Sequence, residues 1–125
     1  MLTETKLTAR LVKSWREMNC EVINIAGSAM QDPGWPDVFV CGRLWDGFIE
    51  FKGPTTPLQP HQARIIQRLE EANTNVCIVR FIEQEDVKWE FNFEKHDGTI
   101  LRIVRLVGTD GQVAAGLLKL LGRLP

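Results

Sequence analysis

Nothing in the 125 residues approaches the run of roughly 18 apolar residues that a membrane-spanning helix needs, so no span is expected. The opening MLTETKLTAR has neither an apolar core nor a small-residue cleavage site. No secretory signal is read there, and a cytoplasmic location is the expectation. Charge of one sign is missing too: fifteen Lys plus Arg face sixteen Asp plus Glu. Up to Gln62 there are six basic and seven acidic residues, and beyond it nine and nine. No basic arm points to a nucleic-acid partner, yet a nuclease stays open, because acidic metal ligands cancel a basic groove in the sum. Cysteine is scarce. Cys20, Cys41 and Cys77 are odd in number and far apart, with no Cys-x-x-Cys and only His61 and His96 beside them. That argues against a disulfide framework or structural zinc and reads all three as small, partly buried hydrophobes. Ser28 has no Ser-His-Asp partner set, so serine nucleophile chemistry is unsupported.

What remains is an ordinary globular composition, 44% hydrophobic and 25% charged, at a length that suits one domain over residues 1–125. Leu2 to Met18 reads as a helix, with Thr3 as cap and Leu2 and Leu7 as a hydrophobic staple. Leu7, Leu11, Trp15 and Met18 recur at helical spacing, and one step back along that stripe stands Glu4. A carboxylate at the end of a core-facing row is either a first-turn acid favoured by the helix dipole or a functional group. Strands are predicted over Val22–Ile25, Asp37–Cys41 and Gly47–Phe51, with a break at Ala26–Ser28, turn residues from Met30 to Trp35, and a hairpin connection over Gly42–Asp46. A loop at Gly53–Pro57 leads to a helix from Pro60 to about Ala72, with Gln62, Ile66 and Leu69 on one face. Val76 to Phe81 follows as a strand buried on both faces.

The last third has another texture. Val87 to Glu94 alternates apolar and polar, Asp97-Gly98 marks a two-residue hairpin turn, Ile100 to Val107 returns, and Gln112 to Leu121 is a short helix. The expected fold is α/β, a mixed sheet flanked by helices, with a core over about residues 2–82 and a C-terminal hairpin and helix over 83–125. That last portion either covers the edge of the core sheet or supplies a dimer contact.

Chemistry concentrates between Gly34 and Gln62. Glu50 and Lys52 stand two apart on one strand and share a face, while Phe51 points to the other. If this strand pairs as a hairpin with the one Asp37 opens, at a register sum near 87–89, Asp37 falls opposite the Glu50–Lys52 region. Two carboxylates and an ammonium at one sheet end suit a hard divalent cation with oxygen ligands; the plain alternative is a strand-end salt bridge.

The ordered set Gly34-Trp35-Pro36-Asp37, Glu50-Phe51-Lys52-Gly53, Gln62 and Val79-Arg80, with Glu4 ahead of it, resembles the PD-(D/E)XK nuclease superfamily. Within it, the chain is similar to the small VRR-NUC nucleases found as stand-alone domains in phages and bacteria. The resemblance covers residues 4 to about 81 and implies an αβββαβ restriction-endonuclease-like core. It implies metal-dependent DNA endonuclease activity leaving 5′-phosphate and 3′-hydroxyl ends. Asp37, Glu50 and the Phe51 carbonyl would bind Mg²⁺ or Mn²⁺, with Lys52 positioning the water, Gln62 supporting it, and Glu4 approaching the metal directly or through water. Stand-alone relatives resemble Holliday-junction resolvases that act as homodimers on branched DNA, so branched DNA and a second copy are the expected partners. The rival readings are a non-catalytic DNA-binding or assembly module of the same fold, and a nuclease for flap, duplex or RNA substrates.

Other residues have plainer readings. Trp35 and Trp45 either stack on an unpaired base or cover the core edge. Arg43, Arg64, Arg68 and Arg80 either contact phosphates or are solvated surface. His61 reads as a helix-end surface residue.

Overall fold

The structure is a computed structural model and describes residues 3–25 and 33–125. Leu2 of the expected staple, Ser28 and most of the break and turn before Pro33 lie outside the described residues. Helix α1 (Glu4–Glu17) begins at Thr3, whose side chain accepts the Lys6 N–H at 3.3 Å. Its buried face holds Leu7, Leu11 and Trp15 as the spacing predicts, joined by Val12 and Ser14. Met18 leaves the stripe. The helix stops before it, Asn19 takes a left-handed conformation (φ 66°), and the chain turns away with Met18 exposed.

Six strands follow the expected order: β1 (Glu21–Asn24), β2 (Val38–Cys41), β3 (Asp46–Lys52), then helix α2 (Pro60–Glu71), β4 (Val76–Glu85), β5 (Lys88–Glu94) and β6 (Ile100–Val107). Helix α3 (Asp110–Leu121) closes the chain, capped by the Thr109 side chain on the Gln112 N–H. The sheet order is β1-β2-β3-β4-β5-β6. Loop-connected neighbours are antiparallel, while β3 and β4, separated by α2, are parallel. A crossover helix returns the chain to the starting edge, so this one pair must run the same way. Among the described residues, no helix is long and apolar enough to cross a membrane.

The sheet has two unlike faces. One carries Val38, Val40, Ile49, Phe51, Val79, Phe81, Phe91 and Phe93, all buried in one cluster with residues of α1 and α3. Trp15 of α1 stacks on Phe51 at 6.2 Å and gives its indole N–H to the Ala114 carbonyl of α3 at 2.8 Å, so one side chain ties both helices to the sheet. The other face carries Glu50, Lys52, Ile78, Arg80 and Glu94, and α2 lies on it through Ile66. Strand β4, apolar on both sides, is therefore covered on both, as its sequence predicts.

Residues 83–125 are no appendage. Strand β4 runs on to Glu85 and pairs with β5 past a bulge between Phe81 and Glu83. Trp89, Phe91, Phe93, Val113 and Leu117 complete the main core. The tight two-residue turn falls at Asp86-Val87, with Asp86 at φ 55°, because β4 outlasts its apolar run. At Asp97-Gly98 the connection is wider, Lys95 to Thr99, closed by the Lys95 N–H on the Thr99 carbonyl and preceded by a bulge at Phe93/Glu94. All three cysteines are free; Cys77 is buried and Cys20 half-buried, but Cys41, the last residue of β2, is exposed, against the expectation of partial burial.

Candidate functional site

The β2–β3 register pairs Val38 with Ile49, a sum of 87, so Asp37 follows in line toward Glu50. Asp37 sits one residue before β2 begins. Its Oδ2 accepts the Phe51 N–H at 2.8 Å, so the carboxylate takes over from the ladder where the backbone partner runs out. Pro36 before it needs no ladder donor, which is why a proline is tolerated there. The preceding Gly34 has φ +94°, and a Cβ on it would stand 2.7 Å from the His61 carbonyl. Only glycine lets the Asp37 approach pass this close to the first turn of α2.

Glu50 and Lys52 share the α2 face of β3 and are 3% and 6% exposed, unusual for two charged residues. Lys52 Nζ lies 3.4 Å from Glu50 Oε2 and donates to Gln62 Oε1 at 3.0 Å. The Gln62 amide returns a bond to Glu50 Oε2 at 3.1 Å, and its oxygen also accepts the Gln59 N–H at 2.9 Å. Gln62 is thus the third helical residue reaching back to the cap and, with the same side chain, the bridge between Glu50 and Lys52.

The electrostatics follow from burial. Desolvation, then the neighbouring Asp37 charge, pushes the Glu50 carboxyl up to about 8 against the pull of Lys52. Asp37 is also raised, by burial first, with the Phe51 N–H and Lys52 opposing. Half-buried Glu4 is raised by burial and by Asp37, offset by Lys52, the Gly53 N–H and Arg80. Three carboxyls therefore feel one another and the same ammonium. The structure brings together Glu4, Asp37, Glu50, Lys52 and Gln62, drawn from two helices and the ends of two strands.

Glu50 Oε1 is buried without a hydrogen-bond partner. A bare carboxylate oxygen in a dry site costs free energy unless something positive meets it. The available donors are carboxylate and backbone oxygens, the hard set that Mg²⁺ or Mn²⁺ accepts, so the residues fit such an ion. They do not form a finished cage: among the described residues, no three His, Cys, Asp or Glu side chains are already gathered as ligands. Lys52, Gln62 and the Phe51 N–H hold the other oxygens meanwhile.

Trp35 packs on Phe48 at 5.6 Å and Trp45 against the main core, the covering role rather than free stacking platforms. Arg43, Arg64, Arg68 and His61 are exposed. Arg80 is neither surface nor free for phosphate. Its Nε bonds Glu94 Oε2 at 2.9 Å, and Nη1 bonds the carbonyls of Gly53 and Thr56 at 2.7 and 2.6 Å. Sequence reasoning overlooked Glu94, which is 7% exposed. The available signal was a lone arginine inside an otherwise apolar strand, which demands a buried acid somewhere. His96 was likewise passed over; its Nδ1 lies 2.6 Å from Glu70 Oε1, tying the β5–β6 loop to α2.

No protein-family model matches the chain, and no curated protein matches it.

Proposed function

We propose that the chain is a divalent-metal-dependent DNA endonuclease of the PD-(D/E)XK class, similar to the VRR-NUC nucleases. The observation that carries this is the buried pairing of Glu50 and Lys52, bridged by Gln62, beside Asp37, with one Glu50 oxygen left bare. A salt bridge kept for stability alone would gain little by its burial over an apolar pair. The order of α1 to β4, with three antiparallel strands, a crossover helix and a parallel fourth, supports the αβββαβ reading.

Glu50, Asp37 and the Phe51 carbonyl would hold the ion, with Glu4 directly or through water. Bound Mg²⁺ or Mn²⁺ would supply neutralisation of charge on the phosphate and acidification of water. Lys52, steered by Gln62, orients the attacking water by hydrogen bond and steadies charge on the phosphate oxygens. That water's oxygen bonds to phosphorus as the bond to the 3′ oxygen breaks, and the products carry 5′-phosphate and 3′-hydroxyl ends. Residues of α2 keep bulk water from the strand side of the cluster, which strengthens each of these interactions.

The preferred substrate is branched DNA, four-way junctions before flaps, cut by a homodimer; this part of the reading rests on the resemblance. Labelled junction, flap, duplex and single-stranded DNA, each with Mg²⁺, Mn²⁺ or EDTA, test it. Paired, metal-dependent nicks at the junction are expected, with a solution mass of about two chains. Binding without cutting under every metal condition would instead favour a non-catalytic DNA-binding module.

A further inference from the structure

The turn that follows Lys52 is held by a side chain of β4, which is itself oriented from the last third of the chain. Lys52 is the final residue of β3, and Gly53 to Thr56 turn the chain away toward α2. Arg80 stands opposite Lys52 in the parallel β3–β4 pair, so both side chains share a face. One nitrogen of Arg80, Nη1, takes the carbonyls at both ends of this turn, Gly53 and Thr56. The turn contains Pro54 and is followed by Pro57, so one of its residues and the one just after it have no N–H with which to hold the turn by backbone bonds. Glu94 fixes the guanidinium from behind through Nε, with side-chain exposures of 15% for Arg80 and 9% for Glu94. Only a planar fork with several donors can meet a carboxylate and two carbonyls at once.

We propose that Arg80 and Glu94 are positioning residues: together they clamp the Gly53–Thr56 turn and so hold the Lys52 ammonium and the Phe51 carbonyl in place. This rests on the nuclease reading. It gives residues 83–125 a part in the site, since the acid that orients the clamp lies on β5. The chain of contact is short: Glu94 to Arg80, Arg80 to Gly53, and Gly53 bonded covalently to Lys52. Gly53 is also gripped from the other side, where its N–H faces the carboxyl of Glu4.

The test uses Glu94→Gln, which keeps the shape, and Arg80→Lys, which keeps the charge, against Arg105→Gln, which breaks the exposed Arg105–Glu90 pair on the same hairpin. Three readouts are taken: amide exchange at Lys52, Gly53, Thr55 and Thr56; Mn²⁺ binding by calorimetry; and cleavage split into kcat and KM. Both clamp variants are expected to exchange faster over the turn. They should lose about 10–100-fold in Mn²⁺ affinity or kcat, the usual effect of removing a group that orients a ligand, with KM moving far less. Arg105→Gln should move none of these. In the unmutated protein the Arg80 Nε–H should give a protected resonance, and its presence supports the clamp even if a variant folds poorly. Unchanged turn exchange, or no protected Arg80 resonance, would overturn the clamp. Faster exchange with unchanged Mn²⁺ binding and kcat would overturn the positioning role. A wild-type chain that binds no Mn²⁺ and cuts no DNA would overturn the nuclease reading, and the positioning role with it, while the exchange data still judge the clamp.

Discussion

The two faces of strand β3 share a backbone and differ in everything else. Ile49 and Phe51 point into an apolar layer closed by α1 and α3, where Phe51 stacks between Trp15 and Phe81. Glu50 and Lys52, their immediate neighbours, are as deeply buried but under the single helix α2, paired with each other and with Gln62. The first face lowers free energy by removing hydrocarbon from water. The second raises it by desolvating charge, and tolerates that because the charges have partners. One face holds the fold together, and the other is the kind of place where chemistry is done.

That contrast breaks most visibly at the carboxylates. Glu50→Gln or Asp37→Ala should reduce metal-dependent cleavage by about three orders of magnitude with far-UV CD unchanged, since loss of one well-placed charged group costs ~10²–10³ or more in rate. Full activity in either variant would remove the proposed site. On the opposite face, Phe51→Ala should cost about 3–5 kcal/mol in urea unfolding, the usual result of emptying an aromatic core position. A cost below ~1 kcal/mol would mean that the Trp15–Phe51–Phe81 stack is not the centre of the core.

Lys52→Ala comes next, with a loss of ~10²-fold in kcat and a smaller change in DNA affinity. A pure affinity loss would reassign Lys52 to phosphate binding. The pH dependence sharpens the comparison further. Burial and Asp37 raise the Glu50 carboxyl to about 8. Between the ordinary carboxylate range and about pH 8, the folded chain therefore binds more protons at this site than the unfolded one. The stability from this group is full at low pH and is lost as pH rises through that window. In EDTA the melting temperature should fall from pH 5 to 8.5. Glu50→Gln should flatten that fall, and Mg²⁺ should reverse it in the wild type alone. A flat wild-type profile would mean that Glu50 ionises without penalty. At the small end, Arg105→Ala on exposed β6 should change stability by less than about 0.5 kcal/mol, because its partner Glu90 is matched by water.

The elements were legible because their signals are local. Helical spacing of Leu7, Leu11 and Trp15, alternation through Trp89, Phe91 and Phe93, and the prolines and glycines between strands all act within a few residues. So did Glu50 and Lys52 sharing a face, since period two is a property of one strand. Met18 continues the helical spacing and yet is exposed, because periodicity cannot tell where a helix stops being covered. Asp97-Gly98 predicts the tight turn that instead forms at Asp86-Val87, because turn residues fix a conformation and not which strands outlast their apolar runs.

By itself, then, the sequence determined the order and type of the elements, the β2–β3 register within two residues, and which side chains point together along a strand. It left open what those side chains meet. Arg80 read as surface or phosphate contact until β5 set Glu94 beside it and the turn after Lys52 beneath it. Gln62 read as one residue of a helix face until α2 settled on the sheet and set its side chain on Glu50, Lys52 and the Gln59 N–H. The physical reason is range. Propensity and periodicity work over a few residues, whereas desolvation and pairing of charge depend on whichever distant segment happens to close over them, and only the folded chain decides that.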